Sequence, residues 1–222
     1  GAPRQMPGPG GASWPEPAAV VDRWLLVEQL GRPVNLKDPY AASNPLKGDR
    51  PLFGDDVFLN VAATSNSLLE PRRTPTTQRS LSAAADAIST AMSDQFFFSQ
   101  TMLIDTVLYK GDTVFRPPDW QLRFAPAINY SATHSGSTTA SGGVFAVQML
   151  FYERHLRDVS PRYDFDSVRV GIQPLTSDFR GFLLSDQPLA ARLFGTRDNN
   201  VFQYNVALAA RLPKDRVRLN DL

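Results

Sequence analysis

One stretch near the middle of the chain alternates apolar residues with polar or small ones. It reads WQLRFAPAINYS and runs from Trp120 to Ser131. Successive side chains of a β-strand point to opposite faces, so the stretch predicts a strand with one apolar face and one polar or small face. The apolar face has Trp120 at one end and Tyr130 at the other. Amphipathic aromatics at both ends of an apolar stripe are typical of a strand that crosses a bilayer.

A single alternating strand is still more typical of a soluble β-sheet with one buried face. The membrane interpretation depends on repetition, and the alternation recurs in about seven segments. These are Asp56–Leu69, Phe96–Tyr109, Trp120–Ser131, Val144–His155, Ser167–Leu175, Leu189–Thr196 and Val201–Leu212. Consecutive segments of roughly 9–11 residues parted by turns are typical of transmembrane β-barrels. Strands of soluble proteins average only about 5–6 residues. The sequence therefore predicts an all-β fold, an antiparallel up-and-down transmembrane β-barrel.

The chain is predicted to divide into a flexible tail, an N-terminal segment and a region of barrel strands. Residues 1–19 are rich in Gly, Pro and Ala and predict a flexible tail. Residues 20–94 form an N-terminal segment, a plug or periplasmic part, with a helix or strand at Val20–Leu30 and the first barrel strand. Glu70–Arg79 is predicted to be a Pro-broken connection, and the Ala-rich Ser80–Met92 a short helix, with an irregular loop as the alternative. Residues 95–222 then carry the remaining strands, with a Ser/Thr/Gly loop at Thr133–Gly143.

Charge and composition exclude several classes of protein. The formal net charge is +1, which gives no reason to expect a nucleic-acid partner. The chain has no cysteine, so disulfide frameworks and thiolate metal sites are excluded. No uninterrupted apolar run is long enough for a transmembrane helix. Barrel strands conceal their hydrophobicity by alternation, so this last observation leaves a barrel open.

Two blocks of sequence carry a resemblance to a known family. They are NPLKGDRPLFGDDVFLN, at Asn44–Asn60, and SPRYDFDSVRVGIQPLTSDFRGFLLSDQPLAARLFGTRDNN, at Ser160–Asn200. With them the chain resembles a group of uncharacterised porin-like outer-membrane β-barrel proteins of Gram-negative bacteria. The resemblance implies the fold and the outer membrane as location, but it assigns no biochemical role to any residue.

The strand count raises a question of closure. Bacterial barrels use an even number of strands from 8 upward, and an open sheet in lipid would leave backbone groups unsatisfied. Three explanations are open: an undetected strand, a larger barrel of which these residues are the N-terminal portion, or completion by another chain. The family resemblance is to longer chains, so we expect the larger barrel.

The polar faces of the predicted strands supply the candidate functional residues. If the apolar faces meet lipid, these side chains line the lumen, and rings of basic side chains favour anions. An equally open interpretation pairs the arginines with carboxylates inside a plugged barrel. The pore-lining candidates are Gln121, Arg123, Asn129, Arg169, Gln173, Arg192, Gln203, Asn205 and Arg211. The candidate membrane-interface aromatics are Trp120, Tyr130, Phe202 and Tyr204. In Val144–His155 the alternation puts Phe145, Val147, Met149 and Phe151 on the apolar face, opposite Gln148, Tyr152 and Arg154.

No motif predicts catalysis or a cofactor. The two histidines, His134 and His155, have no companion at metal-ligand spacing. Loop aspartates could bind calcium, but they lack regular spacing and are more typical of turn caps. These are Asp158, Asp164, Asp166 and Asp198. We therefore expect no enzyme activity, no cofactor and no bound metal.

The sequence thus favours a porin-like channel for passive diffusion of small solutes, with anions preferred. The expected location is the outer membrane of a Gram-negative bacterium, and the expected partner is its lipid bilayer. A different class of function is a structural barrel whose N-terminal segment docks an envelope protein. A third is a soluble all-β binding module. The solute and the oligomeric state are left open.

Overall fold

The computed structural model describes residues 23–38, 40–41, 43–79, 88–111, 117–136, 138–160, 164–178, 180–214 and 219–220. It is an all-β structure with one large antiparallel sheet, a small two-stranded ribbon and one short helix, α1, at Arg23–Gln29. The large sheet consists of β1 (Val57–Arg79), β2 (Ile88–Lys110), β3 (Trp120–Ser135), β4 (Thr138–Asp158), β5 (Phe165–Ile172), β8 (Leu189–Arg197) and β9 (Phe202–Ala210). The ribbon consists of β6 (Leu175–Thr176) and β7 (Ser185–Asp186).

The seven strands of the large sheet follow one another as a meander. Their order is β1-β2-β3-β4-β5-β8-β9, and every neighbouring pair is antiparallel. The seven strands predicted from alternation are thus confirmed as strands of one sheet. We call the end where β1 begins the near end and the end where β3 finishes the far end. The ribbon β6-β7 lies in the far-end connection between β5 and β8.

β1 and β2 are much longer than predicted, at 23 residues each. The predicted connection at Glu70–Arg79 is wrong, because those residues continue β1 and pair with β2. The predicted helix over Ser80–Met92 is wrong for Ile88–Met92, which belong to β2, and residues 80–87 lie outside the described residues. Pro71 is tolerated because β1 is an edge strand, where a missing N–H costs little. The boundary drawn between residues 94 and 95 falls inside β2.

β3 and β4 also extend beyond the predicted bounds. The predicted loop at Thr133–Gly143 is wrong for the described residues 133–136 and 138–143, which form a continuous hairpin apart from Gly136. The small Ser, Thr and Gly side chains have no core-forming surface, but the backbone ladder continues through them. Predicted tail residues 1–19 lie outside the described residues.

A β-bulge changes the phase of β4. Ala125 pairs with Met149 and Pro126 with Val147, so Gln148 is the extra residue opposite β3. Beyond the bulge, register places Met149 and Phe151 on the same face as Ala125, and Phe151 is buried. The predicted faces of Val144–His155 are therefore wrong from Met149 onward. The residues that register moves to the opposite, exposed face are Leu150, Tyr152 and Arg154.

The two faces of the sheet have an inverted pattern of burial. On β3, Ala127 is 0% and Asn129 is 1% exposed, although both belong to the polar or small set. On the opposite face Ile128 is 56% exposed, and its neighbour Phe145 is 65% exposed. We call the first the polar face and the second the apolar face. Buried contacts thus concentrate on the polar face, whereas a soluble sheet buries its apolar one.

The sheet is not closed within the described residues. β1 and β9 lie at its two edges. They run in the same direction, because five strands lie between them and every neighbouring pair is antiparallel. The first residues of β1 are covered by an irregular segment, whose Leu46 carbonyl accepts a hydrogen bond from the Val61 N–H at 2.7 Å. A second edge, on β4 beyond the end of β5, is capped where Asn220 Nδ2 donates to the Val147 carbonyl at 2.8 Å.

Candidate pore-lining and lipid-facing surfaces

The apolar face carries a band of defined height. Two transverse rows of paired residues bound it, and on β3 they pass through Trp120 and Tyr130. Ten residues separate these two positions, which is roughly 33 Å along a strand and about 23 Å across a bilayer at a 45° tilt. The lipid-facing band of outer-membrane barrels is about 25 Å tall. The two rows are Lys110–Trp120–Arg154 and Gln100–Tyr130–Gly143.

Between the rows the apolar face consists of exposed aliphatic and aromatic side chains. They come from every strand of the large sheet from β2 to β9, so the surface is continuous across that sheet. Its exposed members include Met102, Ile104, Leu122, Phe124, Ile128, Phe145, Leu150, Tyr152, Val170, Leu189, Leu193, Val206 and Leu208. Contiguous exposed apolar area of this extent marks a surface that contacts lipid or another protein.

The four candidate interface aromatics share the apolar face by register, and three of them lie toward the near end. Trp120 begins β3 there, and Phe202 and Tyr204 begin β9 there, whereas Tyr130 lies in the far row. The Tyr204 hydroxyl donates to Asp166 across Gly195, where an added Cβ would lie 2.1 Å from the Phe165 carbonyl oxygen. A glycine is therefore required at the position that Tyr204 crosses.

Asp166 is the acidic centre of this near-end cluster. Arg197 Nη2 lies 2.7 Å from Asp166 Oδ1, and Arg157 Nε donates to Asp166 Oδ2 at 2.8 Å. The carboxylate is buried, whereas Arg157 is largely exposed. Arginine and tyrosine side chains with an apolar body and a polar tip are suited to a membrane–water interface.

The pore-lining candidates also share one face, the polar one, as far as they lie within strands. Strand register places Gln121, Arg123 and Asn129 of β3 on the same side as Arg169 of β5 and Arg192 of β8. Gln203 and Asn205 of β9 lie opposite Thr196 and Phe194 on that face. Gln173 follows β5 directly, and Arg211 follows β9 directly.

Two of these arginines form ion pairs with strand carboxylates. Arg123 Nε donates to Asp105 Oδ1 at 2.8 Å, and Arg169 Nε donates to Glu153 Oε2 at 2.6 Å. Gln121 Nε2 donates to the same Glu153 oxygen at 3.2 Å. Both carboxylates were missed as site residues. Glu153 could have been found only with the β4 bulge, which turns it to the polar face next to Arg169.

The amide candidates have structural partners. Asn129 Nδ2 donates to Ser99 Oγ at 3.0 Å and Thr101 Oγ1 at 2.8 Å, which ties β3 to β2. Gln173 is fully buried and donates to the Ala190 carbonyl at 2.8 Å. These side chains stabilise the sheet on its polar face whether or not solute passes beside them.

Arg211 lies at a cleft of about 490 Å³ beside the ribbon β6-β7. Arg211 Nε lies 3.3 Å from Asp186 Oδ2, and Lys214 Nζ lies 2.8 Å from Asp186 Oδ1. The hydrogen bond from Lys214, with smaller help from Gln187 and Arg211, holds the pKa of Asp186 below its ordinary value against the opposing effect of burial. The two cations at this cleft share one carboxylate.

At the near end, Asp164 accepts hydrogen bonds from the backbone of the turn between β8 and β9. Residues Asp198, Asn199 and Asn200 all have positive φ, and the Asn199 and Asn200 amides each donate to the Asp164 carboxylate at 3.1 Å. The Ser160 hydroxyl, followed by these amides, lowers the pKa of Asp164. In the described part of the chain no group of three or more His, Cys, Asp or Glu side chains could hold a metal ion. His134 contacts Thr139, and His155 contacts Asp158.

None of the helices in the described residues has the length and hydrophobicity needed to cross a membrane. No protein-family model, no curated protein and no solved structure matches the chain. The resemblance to porin-like outer-membrane proteins, carried by Asn44–Asn60 and Ser160–Asn200, therefore stays a prediction.

Proposed function

We propose that this protein is a porin-like outer-membrane channel, in which the seven strands form part of a transmembrane β-barrel for passive diffusion of small solutes. The observation that carries the proposal is the inverted burial of the sheet. Exposed side chains of the apolar face fill a band about 23 Å high, while charged and amide side chains pair on the other face. Such a sheet is stable where lipid replaces water outside it.

The unequal ends of the sheet indicate an orientation. At the near end the connection from β8 to β9 is a tight turn, whereas at the far end β1 and β2 continue well past the band. From Ser67 to Arg79 the β1 strand extends roughly 40 Å beyond the far row. Outer-membrane barrels have short periplasmic turns and longer extracellular loops. The far end is therefore the extracellular one.

The direction of the edge strands supports a larger barrel. Because β1 and β9 run in the same direction, an antiparallel closure requires an odd number of further strands between them, which gives an even total. An edge left open in lipid would cost several kcal/mol for each unsatisfied backbone group. The described strands thus fit the N-terminal portion of a larger barrel.

A structural barrel that anchors an envelope partner is the second candidate, and the paired charges favour it. Arg123, Arg169 and Arg211 each have a carboxylate partner, so the field of the polar face is weaker than the arginine count predicted. Buried Asn129 and Gln173 also leave little free polar surface at their positions.

Two measurements test the proposal. Native protein should fractionate with the outer membrane and shift in gel mobility on boiling, because folded barrels resist detergent; a soluble protein without a shift would leave the soluble all-β module. Purified protein should then give stepwise conductance in planar lipid bilayers. An outer-membrane, heat-shifting protein that never conducts would support the structural barrel instead.

A further inference from the structure

Two arginines lie directly opposite each other on the polar face. Arg169 of β5 pairs in register with Arg192 of β8. Like charges directly opposite on one face of an antiparallel pair are destabilising unless other charges compensate them. The compensating carboxylate on the described strands is Glu153, which is 3% exposed and is bonded to Arg169.

Arg192 has neutral partners in place of a carboxylate. Its Nε donates to Asn205 Oδ1 at 3.1 Å, and its Nη1 lies 3.4 Å from the Pro174 carbonyl oxygen. Its guanidinium carbon also lies 5.2 Å from the centre of the Phe194 ring. No carboxylate of the described residues is within ion-pair distance of Arg192. Its hydrogen bonds occupy two of the five N–H donors of the guanidinium.

The other three candidate arginines differ in this respect. Arg123 binds Asp105, Arg169 binds Glu153 and stacks 4.5 Å from the Phe151 ring centre, and Arg211 binds Asp186. Arg192 and Arg169 together therefore present two positive charges to one carboxylate. Among the described residues no second carboxylate balances the pair, and a bound anion would supply the missing negative charge.

We propose that Arg192 is the anion-binding residue of the channel and that its ligand is a small organic carboxylate. A planar carboxylate matches the fork of a guanidinium and can accept two parallel hydrogen bonds from it. Asn205 uses its amide oxygen to hold Arg192, which leaves its N–H₂ group to donate to the same ligand. This site rests on the proposed function, because the ligand reaches the polar face through the lumen.

The test uses the whole protein, purified from outer membranes and placed in planar bilayers with a potassium acetate gradient. The reversal potential gives the acetate-to-potassium permeability ratio. R192Q should lower this ratio by about threefold or more, because it removes the unpaired lumen charge. R73Q is the matched control: it removes the same charge from the exposed Arg73–Asp94 pair beyond the band and should leave the ratio unchanged. Equal ratios in all three proteins would contradict a role for Arg192 in anion passage.

A second measurement separates the site from the channel. Thermal unfolding in detergent is followed in acetate and in chloride at equal ionic strength, because a ligand that binds the folded state raises the unfolding temperature. Wild type should be more stable in acetate, and R192Q should lose that difference. R192K keeps the charge but lacks the planar fork, so it should keep most of the permeability ratio and lose the acetate effect.

The combined outcomes are distinct. A protein that does not conduct but loses acetate stabilisation in R192Q overturns the channel and keeps the site. A conducting protein whose ratio and acetate stabilisation are the same in R192Q as in wild type keeps the channel and overturns the site.

Discussion

On β1 and β2, the part of the strands beyond the far row differs in side-chain chemistry from the part inside the band. We call this outer part, residues 68–74 and 93–99, the far hairpin. Within the band, the apolar face of β2 shows exposed Met102 and Ile104. One pair further on, Gln100 Nε2 donates to Ser65 Oγ at 2.8 Å, and beyond that Arg73 pairs with Asp94 at 3.2 Å. The backbone ladder runs through this change without interruption. The boundary of the lipid-facing surface is therefore set by side chains and not by the end of a strand.

The largest expected difference in stability between the two regions comes from a charged substitution inside the band. Phe124→Arg places a guanidinium on the apolar face of β3 near mid-height, and it should lower the free energy of unfolding by about 2–4 kcal/mol in a bilayer. Leu69→Arg makes the same kind of change on the far hairpin, where the cost should be at most about 1 kcal/mol. Denaturant unfolding of both variants in liposomes measures the difference, and equal costs would contradict a lipid-facing band.

Two glycines, one in the near-end cluster and one in the far extension of β4, should also differ in how much they stabilise the sheet. Gly195→Ala places a Cβ 2.1 Å from the Phe165 carbonyl oxygen and 2.9 Å from the Tyr204 hydroxyl, so the backbone must shift. We expect a loss of about 2 kcal/mol or more. Gly142→Ala, in the far extension of β4, meets nothing within 4 Å and should change stability by less than about 0.5 kcal/mol. If unfolding curves show equal effects, the tight crossing of Tyr204 over Gly195 is absent.

The half-buried and the exposed ion pairs should also differ in how much they contribute to stability. Arg123→Gln leaves the half-buried Asp105 without its cation and should cost about 1–3 kcal/mol. Adding Asp105→Asn removes the unpaired charge and should restore part of that loss. Arg73→Gln in the exposed far-hairpin pair should cost under about 1 kcal/mol. A double-mutant cycle of Arg123 and Asp105 in detergent-solubilised protein measures the interaction free energy of the pair. A value near zero would mean that water screens the pair and that it does not stabilise the sheet.

The smallest expected effect is a local loosening of the near-end turn, Asp198–Asn200, at acid pH. Because the pKa of Asp164 is lowered in the folded protein, its contribution to stability is present above the unfolded-state pKa and is lost as pH falls through the folded value. The turn at Asp198–Asn200 should therefore loosen at acid pH, below about 4. The protection factors of the Asn199 and Asn200 amides, which correct for the intrinsic pH dependence of exchange, should fall there in wild type. In Asp164→Ala these protection factors should be low at every pH, and an acid response unchanged from wild type would exclude Asp164 as its origin.

Alternation predicted the strands of the sheet because side chains of a strand point to its two faces in turn, and one face of each strand is apolar. This period of two is visible in the local sequence alone. It failed where a partner strand decides the outcome. The phase change at Gln148 follows from the register against Pro126, which β4 alone does not reveal. The extension through Glu70 and Pro71 follows from pairing with β2, which overrides local signals for a turn.

The candidate site was predictable only as a set of side chains. Periodicity placed Arg123, Arg169 and Arg192 on one face, because a period of two requires nothing beyond the strand itself. Their charge balance depends on which residue lies across from each arginine. Asp105 was visible in the sequence, but its contact with Arg123 needs the β2–β3 register. The helix predicted from Ala content was wrong where described, because Ile88–Met92 gain a cross-strand partner instead.

The central claim is that the apolar face of the sheet contacts lipid. Because the chain has no cysteine, single-cysteine variants can carry one spin label at each position from 120 to 135. In liposomes, power saturation then compares collisions with oxygen, which dissolves in lipid, and with a water-soluble nickel chelate. We predict oxygen maxima at the even positions from Leu122 to Tyr130, low oxygen collision at the odd positions between them, where Ala125, Ala127 and Asn129 are buried, and loss of the oxygen signal beyond Tyr130. High chelate access at Phe124 and Ile128 would contradict the lipid-facing band and with it the membrane barrel.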